Sequence, residues 1–330
     1  MHSIGQFLEE KKRRLEEPTM RELELLNERY RSINLAPVEE PAIPLDFNAR
    51  SVFLAIKSGI SRRAEATRIP RLSTSVLQKS YFGISQSRRR KLFSPIFVVG
   101  SGHSGTSIML KILSNHSHIY AVEGESDCFI WLGLLSKLRR FISWNKLTLK
   151  TGAERWAEKT PKHLWYLKDI FNYYPDAKVI VMLRDGRDVA LSQSKTWGCF
   201  EQAVKRWVEE YRVAEQYLDN PNVMMVKYED LVTNSTRTLA DLFDFIGEEF
   251  EPEIVHTELR PERWYSDNLE KPDIISSATH QQYRNWQINQ PLTDFSKKWI
   301  TQMSDEQKVI FKNLAGSLLI ELGYADDLNW

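Results

Sequence analysis

The chain has 330 residues, of which 42% are hydrophobic and 27% are charged, and its formal net charge is +1. This balance is typical of a folded globular protein, and it excludes a bulk electrostatic attraction to nucleic acid or to an acidic membrane surface. The longest apolar runs fall far short of the ~20 residues that span a bilayer, and residues 6–14 are too charged for a signal peptide. We therefore expect a cytoplasmic protein with no membrane span and no nucleic-acid partner.

Residues 1–93 are predicted to form a helical and irregular N-terminal extension. Apolar residues recur there at helical spacing on charged segments, for example Leu23, Leu26 and Tyr30. A proline-containing stretch over residues 37–44 then reads as a linker. The remaining residues, 94–330, are predicted to form one domain.

Buried strands alternate with helices in residues 94–330. Apolar, β-branched runs mark the strands, and apolar positions at helical spacing mark the helices. In chain order the pattern predicts strand 96–99, helix 106–114, strand 119–122, helix 163–174, strand 179–183, helix 200–218, strand 223–227, and helices 236–246 and 305–322. This alternation predicts an α/β fold in which a parallel β-sheet is flanked by helices on both faces.

A glycine-containing loop, G-S-G-H-S-G-T-S over residues 100–107, directly follows the first predicted strand. A strand, a glycine loop and a helix start form an arrangement whose backbone N–H groups hold phosphate. The spacing is that of a Walker A loop, but Thr106 occupies the lysine position. The loop therefore suits a 5′-phosphate group better than a triphosphate. The candidate ligand-binding residues are Gly102, His103, Ser104, Gly105, Thr106 and Ser107.

A second candidate anion site follows strand 179–183. The Arg184 guanidinium matches a phosphate in geometry, and Ser192 on the next helix could reach the same anion. Asp185 could imitate a Walker B aspartate, although Arg184 beside it argues against a Mg²⁺ site. Because parallel strands end at the same edge of a sheet, the two anion sites are expected to converge. Two such sites fit an adenosine ligand phosphorylated at its 5′ and 3′ positions.

These motifs resemble those of sulfotransferases that use 3′-phosphoadenosine 5′-phosphosulfate (PAPS). Residues 102–107 resemble the family's 5′-phosphosulfate loop, and residues 184–192 resemble its 3′-phosphate motif. The resemblance continues at residues 227–231, 245–247, 296–299 and 322–324, in the manner of the soluble, bacterial and tyrosylprotein-type branch. It implies a P-loop-type sheet, PAPS as co-substrate, no metal, and in-line sulfonate transfer to a hydroxyl or amine.

Two positions depart from the family's pattern. His103 stands where many relatives carry arginine, so one cationic contact to the donor is expected to be weakened or pH-dependent. Gly186 replaces a common proline, which is expected to loosen the turn that follows strand 179–183.

The resemblance also indicates catalytic residues. Glu125 is the preferred base for the acceptor proton, and Glu123 and His103 remain open as alternatives. Alternation along an extended segment would turn both glutamates toward one face. Lys159 is predicted to stabilise charge on the leaving 5′-phosphate, and Pro161 suggests that this lysine stands just ahead of a helix.

Contacts to the donor are also expected from later in the chain. Lys298, or its neighbour Lys297, is expected to close over the donor. Ser276 and Ser277 are weaker candidates for donor contacts.

Two other function classes stay open. One is a P-loop nucleotide kinase or NTPase with Asp185 as the Mg²⁺ ligand, and the other is a nucleotide-binding module without catalysis. The acceptor could be a small molecule, a carbohydrate, a lipid or a peptide, and the sequence selects none of them.

The cysteines, Cys128 and Cys199, form no C-x-x-C motif, which favours a reducing compartment. The histidines at 116 and 118 are expected to lie in a surface turn rather than in a metal site.

Overall fold

The computed structural model describes residues 84–274 and 279–330. Most of the predicted N-terminal extension lies outside these residues, and so do Ser276 and Ser277. The described part begins with helix α1 (Gln86–Leu92), whose first turn is capped by the Ser85 side chain. Leu92 at the end of α1 is fully buried.

Five parallel strands form one sheet in the described residues. They are β1 (Ile96–Gly100), β2 (Ile119–Ala121), β3 (Arg155–Lys159), β4 (Lys178–Leu183) and β5 (Val223–Lys227). Their order across the sheet is β2-β3-β1-β4-β5, and every neighbouring pair is parallel. The predicted α/β class with a parallel sheet is confirmed.

Helices connect the strands and follow the last one. They are α2 (Thr106–Ser114), α3 (Cys128–Trp131), α4 (Leu134–Lys150), α5 (Leu167–Tyr173), α6 (Gly186–Trp197), α7 (Phe200–Glu215), α8 (Tyr228–Thr233), α9 (Ser235–Ile246), α10 (His280–Ile288), α11 (Trp299–Gln302) and α12 (Asp305–Glu321). Most predicted elements agree with these bounds to within a few residues. The predicted helix 163–174 is instead a 3-10 helix, Pro161–Tyr166, followed by α5.

Both faces of the sheet are covered, as predicted. On one face, Ile96 and Val98 of β1 belong to a core cluster that also contains α2 and α9. On the other face, Phe97 packs edge-on against Trp156, and α6, α7 and α12 form a second cluster around Trp207. Ile96 and Val98 thus face one side of the sheet and Phe97 faces the other, which is the period of two that a strand requires.

Strand β3 was not predicted, because its sequence, R-W-A-E-K, has no apolar run. Its charged side chains are nonetheless at most 4% exposed. Buried charges of this kind are found in proteins when they are paired. The ion pairs are Arg155 with Glu248 and Lys159 with Glu125, and Glu158 accepts a hydrogen bond from His163.

The expectation of a surface turn at residues 116–118 is wrong for His116, which is 3% exposed. Its ring stacks on Phe243, and its Nε2 atom lies 2.9 Å from the Glu249 carbonyl oxygen. His118 lies near Glu154 and Glu248, with ligand atoms within 4.8 Å of one another. The Lys91 ammonium contacts both of those carboxylates.

The sheet order places β1 between β3 and β4. The carboxyl ends of these three strands therefore lie side by side at one edge of the sheet. Gly100, Lys159 and Arg184 are carried at those ends, so the fold brings the predicted anion sites together. Within the described ranges, no helix is both long and apolar enough to cross a membrane.

Candidate active site

The loop between β1 and α2 requires two of its glycines. Gly100 has φ +136°, and a Cβ atom there would overlap the carbonyl oxygen of Met182. Gly105, the residue before α2, has φ +92°, and a Cβ atom there would lie 2.8 Å from the Tyr228 ring. These glycines let the loop turn so that the first N–H groups of α2 are available to an anion. The buried Ser104 hydroxyl has no hydrogen-bond partner among the described residues.

His103 lies in this loop with φ +69° and contacts α6. Its Nδ1 atom is 2.8 Å from the Ser192 hydroxyl oxygen. Burial, followed by the positive charges of nearby side chains such as Arg284 and Arg184, lowers the pKa of His103 to about 4. The imidazole is therefore neutral near pH 7, and it does not supply the charge that an arginine would bring here.

Gln193, one residue further along α6, also holds the loop. Its amide nitrogen donates to the Ser101 hydroxyl at 3.1 Å and to the Gly102 carbonyl at 2.9 Å. The side chain is fully buried. Sequence reasoning missed Gln193, although its position next to Ser192 in the second motif was a usable signal.

Arg184 reaches from the end of β4 to two other parts of the site. It donates to the His103 carbonyl at 3.2 Å and to the Phe295 carbonyl at 2.6 Å. Its Cζ atom lies 4.5 Å from the centre of the Tyr228 ring. Its Nε atom is buried and has no hydrogen-bond partner among the described residues. Arg184 therefore joins the glycine loop to the segment that precedes α11.

Tyr228 contacts residues of both predicted anion sites. Its ring packs against Gly105 on one side and lies under the Arg184 guanidinium on another. Its hydroxyl donates to the Thr293 carbonyl at 3.1 Å and accepts from the Phe295 amide at 3.2 Å. The segment 227–231 thus supplies a side chain that fixes the relative positions of the loop, Arg184 and residues 293–295.

Lys298 lies near the Arg184 site. Its Nζ atom is 4.5 Å from the centre of the Phe295 ring. Burial and then the charges of Arg184 and Lys195 lower the pKa of Lys298. The Asp188 carboxylate, 3.7 Å from Arg184 Nη2, partly offsets this lowering of the Lys298 pKa.

Asp185 is engaged in structural contacts. Its Oδ1 atom accepts from the Arg187 amide and so caps α6. Its Oδ2 atom is 2.7 Å from Arg187 Nη2, in a pair whose two side chains are both buried. A carboxylate with both oxygens committed to an arginine is poorly placed to hold Mg²⁺, which weakens the kinase alternative.

Gly186 does not loosen the turn after β4. A Cβ atom at Gly186 would lie 2.6 Å from the Trp207 ring. The Trp207 indole also donates to the Arg184 carbonyl at 3.2 Å. The tryptophan occupies the space that a larger residue at position 186 would need, and its hydrogen bond to the Arg184 carbonyl fixes the backbone of the turn.

Lys159 and Arg284 both contact Glu125. Lys159 Nζ and Arg284 Nη2 are each 2.7 Å from the Oε1 atom of Glu125. The Lys159 side chain is fully buried, and the Glu125 side chain is 32% exposed. Burial alone would raise the pKa of Glu125, but the two cations lower it to about 2. In this state Glu125 is an ionised carboxylate of low basicity.

Tyr265 lies beside the same group. Its hydroxyl oxygen is 3.4 Å from the Ser107 hydroxyl oxygen, and Arg284 Cζ lies 4.1 Å from the centre of its ring. Burial would raise the pKa of the Tyr265 phenol, but the cations of Lys159 and Arg284 more than offset this and lower it. Sequence reasoning missed Tyr265 and Arg284, because neither stands in a motif.

A buried network holds the segment that carries Glu125. Glu158 accepts from the Ser126 hydroxyl at 2.7 Å, from the Thr160 hydroxyl at 2.6 Å, and pairs with His163 at 3.0 Å. The His163 Nε2 atom in turn accepts from the Phe129 amide. These bonds fix residues 126–129, directly after Glu125, against the end of β3.

Strand alternation does not set the directions of Glu123 and Glu125, because Gly124 between them has φ +71°. Glu123 is exposed, and its charge helps to raise the pKa values of Tyr120 and Glu262. The structure therefore brings Glu125, and not Glu123, into contact with Lys159.

The predicted site residues fall into two neighbouring groups. The first surrounds Arg184 and contains His103, Ser192 and Lys298. The second surrounds Lys159 and contains Glu125 and, through Arg284, Ser107. The glycine loop lies between the groups and belongs to both.

A model of the sulfotransferase family matches residues 131–252. No curated protein sequence matches the chain. Among solved structures, the chain is similar to the sulfotransferase domain of the Synechococcus PCC 7002 olefin synthase, at 16% identity and a TM-score of 0.48, over 68% of this chain and 95% of that one.

Two further structures have comparable similarity. The sulfotransferase domain from the curacin biosynthetic pathway shows 17% identity and a TM-score of 0.48, over 68% of this chain and 97% of that one. A mouse sulfotransferase complexed with PAP shows 17% identity and a TM-score of 0.45, over 70% of this chain and 89% of that one. The resemblance to the sulfotransferase family is confirmed by the family model over residues 131–252.

Proposed function

We propose that this chain is a PAPS-dependent sulfotransferase and that residues 94–330 form its catalytic domain. The observation that carries the proposal is the position of the glycine loop between Arg184 on one side and Lys159 with Glu125 on the other. One side offers a site for a second phosphate, and the other offers a cation and a carboxylate for group transfer. The family match over residues 131–252 supports the same reaction class.

The donor fits the residues present. The first N–H groups of α2 would hold the 5′-phosphosulfate, with Thr106 and Ser107 beside it. Arg184, Ser192 and Lys298 would hold the 3′-phosphate. Two observations support this fit. Gly105 has a left-handed backbone that opens the start of α2 to an anion, and Arg184 Nε has no hydrogen-bond partner among the described residues. His103, being neutral, would contribute a hydrogen bond rather than a charge.

The reaction breaks the bond between sulfur and the bridging oxygen of PAPS and forms a bond between sulfur and the acceptor oxygen or nitrogen. The electron pair of the broken bond stays on the 5′-phosphate, so the nucleotide leaves as 3′,5′-adenosine bisphosphate (PAP). The acceptor proton passes to a base, for which we prefer Glu125. Glu123 is directed elsewhere, and the Nδ1 atom of His103 is already engaged by Ser192.

Lys159 has two roles in this scheme, and it performs them one at a time. Without donor it neutralises Glu125. With donor it would turn its ammonium to the bridging oxygen, where negative charge grows. Glu125 would then lose one of its two cationic neighbours, and its basicity would rise. The binding of donor would in this way prepare the base.

The acceptor class remains open among small molecules, carbohydrates, lipids and peptides. Cys128 and Cys199 are both free thiols, which supports a reducing location such as the cytoplasm. We propose no metal for the reaction, since the charges that it needs are supplied by Lys159 and by the helix N-terminus.

Calorimetric titration with PAP, beside an identical titration with Mg-ATP, tests the proposal. Binding of PAP with a micromolar or lower Kd and no binding of Mg-ATP is the expected result. Binding of Mg-ATP alone would overturn it in favour of a P-loop kinase. If PAP binds but no acceptor in a broad panel takes up labelled sulfonate from PAPS, the chain is a nucleotide-binding module.

A further inference from the structure

Arg284 on α10 lies between the glycine loop and Glu125. Its Nη2 atom is 3.4 Å from the Ser107 hydroxyl oxygen and 2.7 Å from Glu125 Oε1. Ser107 stands in the first turn of α2, where an anion would be held. A single guanidinium nitrogen therefore contacts the donor side and the acceptor side of the proposed site.

The transferred group has to move between these two sides. In the proposed reaction the sulfonyl group leaves a phosphate at α2 and joins an acceptor atom held near Glu125. Its three outer oxygens carry negative charge throughout the transfer. A guanidinium presents several N–H donors in one plane, which suits an oxyanion better than a single ammonium does.

The Arg284 guanidinium is held in place before any ligand arrives. Its plane lies over the Tyr265 ring, with Cζ 4.1 Å from the ring centre. The next residue, Asn285, is fully buried and accepts from the Tyr265 backbone amide at 3.2 Å. The Arg284 side chain is still 23% exposed, so its N–H donors are accessible to a ligand. Fixed donors of this kind require little reorganisation during the reaction.

We propose that Arg284 is a catalytic residue that donates hydrogen bonds to the outer oxygens of the sulfonyl group during its transfer. This inference rests on the proposed PAPS-dependent function. Arg284 would contact the moving group itself, whereas Lys159 would contact the bridging oxygen that is left behind. Glu125 would keep Arg284 in position until the donor enters.

A comparison of PAPS with PAP tests this role without knowledge of the acceptor, because the two nucleotides differ only in the sulfonyl group. Affinities for both are measured by calorimetry for the wild type, Arg284→Gln, Glu125→Gln and the double variant. Arg263→Gln is the matched control, since Arg263 is an exposed arginine whose hydrogen bond within the described part of the chain goes to the nearby Asp267 carbonyl. An unchanged thermal midpoint verifies that each variant is folded.

We expect Arg284→Gln to lower the affinity for PAPS roughly tenfold to a hundredfold more than the affinity for PAP, as one charge-assisted hydrogen bond predicts. The same selective loss is expected in the Glu125→Gln background. Equal losses for both nucleotides would overturn the inference, and so would a selective loss that disappears when Glu125 is neutralised. Failure of the wild type to bind either nucleotide would instead refute the proposed function.

Discussion

Lys159 Nζ lies 2.7 Å from Glu125 Oε1, so the proposed leaving-group cation and the proposed base neutralise each other in this structure. The two residues come from adjacent parts of the fold, the end of β3 and the segment that follows β2. In the proposed reaction, Lys159 would turn its ammonium toward the donor and so reduce its contact with Glu125. We therefore expect removal of Lys159 to affect the reaction itself, whereas removal of Arg184 should affect nucleotide binding.

Replacement of Arg184 is expected to weaken nucleotide binding, and replacement of Lys159 is expected to slow the reaction. Arg184→Ala should lower PAP affinity roughly tenfold to a hundredfold, because a charge-assisted contact to the 3′-phosphate is lost. Lys159→Ala should lower turnover about 10²- to 10³-fold, as removal of a transition-state donor does, with less than about tenfold loss of PAP affinity. Calorimetry with PAP and labelled sulfonate transfer from PAPS measure the two effects.

The exposed residues Arg237 and Lys162 offer matched controls for these variants. Arg237→Ala and Lys162→Ala should leave both quantities unchanged. Equal affinity losses in the two site variants would contradict the division of roles.

His103 is expected to make folding stability depend on pH. Its pKa of about 4 is below the ordinary histidine value of 6.5, so the unfolded chain binds more protons between those pH values. Lowering the pH from about 6.5 to about 4 should therefore destabilise the wild type relative to His103→Gln. Urea unfolding of both proteins at several pH values measures the difference between their free energies of unfolding. Above about pH 7 this difference should no longer change with pH. A difference that shrinks as the pH falls would show that His103 is charged in the folded protein.

Restoration of the family's proline at position 186 is expected to destabilise this chain. Any Cβ atom there meets the Trp207 ring at 2.6 Å, and overpacking of a core contact costs about 1–3 kcal/mol. Gly186→Pro and Gly186→Ala should both lower the thermal midpoint. In a Trp207→Leu background, the substitutions at position 186 should lower the thermal midpoint by less. An equal decrease in that background would mean that Trp207 does not cause the destabilisation.

Glu158 is expected to act on both stability and turnover. It is fully buried and accepts hydrogen bonds from Ser126, Thr160 and His163, and a buried donor left without its partner costs about 1–3 kcal/mol. Glu158→Ala should therefore lower the urea midpoint strongly. Glu158→Gln can keep the hydrogen bonds to Ser126 and Thr160 but loses the carboxylate that accepts from His163, the residue that holds the Phe129 amide. It should remain folded and lose turnover, because residues 126–129 are then held less firmly behind Glu125. Full turnover in Glu158→Gln would exclude a positioning role.

Strands β1 and β4 and the motifs after them could be predicted because their signals are local. Each strand is an uninterrupted apolar run, and each motif begins at the residue where the run ends. The parallel sheet followed from the alternation of strands with helices. The convergence of the two motifs followed in turn from the sheet.

Strand β3 and Arg284 could not be predicted, because their signals are not local. The charges of β3 are buried only because partners from distant segments neutralise them, as Glu248 does for Arg155. Arg284 reaches the site across 159 residues of chain to Glu125, and no apolar period or motif marks it. Side chains whose environment is made by tertiary contacts leave no pattern in their own stretch of sequence.

The Tyr228 ring packs against Gly105 and under Arg184, and its hydroxyl joins residues 293 and 295. Variation at this one position would disturb both phosphate sites at once. A natural or laboratory lineage that drifts toward a donor lacking the 3′-phosphate would have to discard the Arg184 contacts while keeping this tyrosine. In the proposed site, the contacts to the two phosphates therefore share one structural support, and a change of donor would require a compensating change around Tyr228.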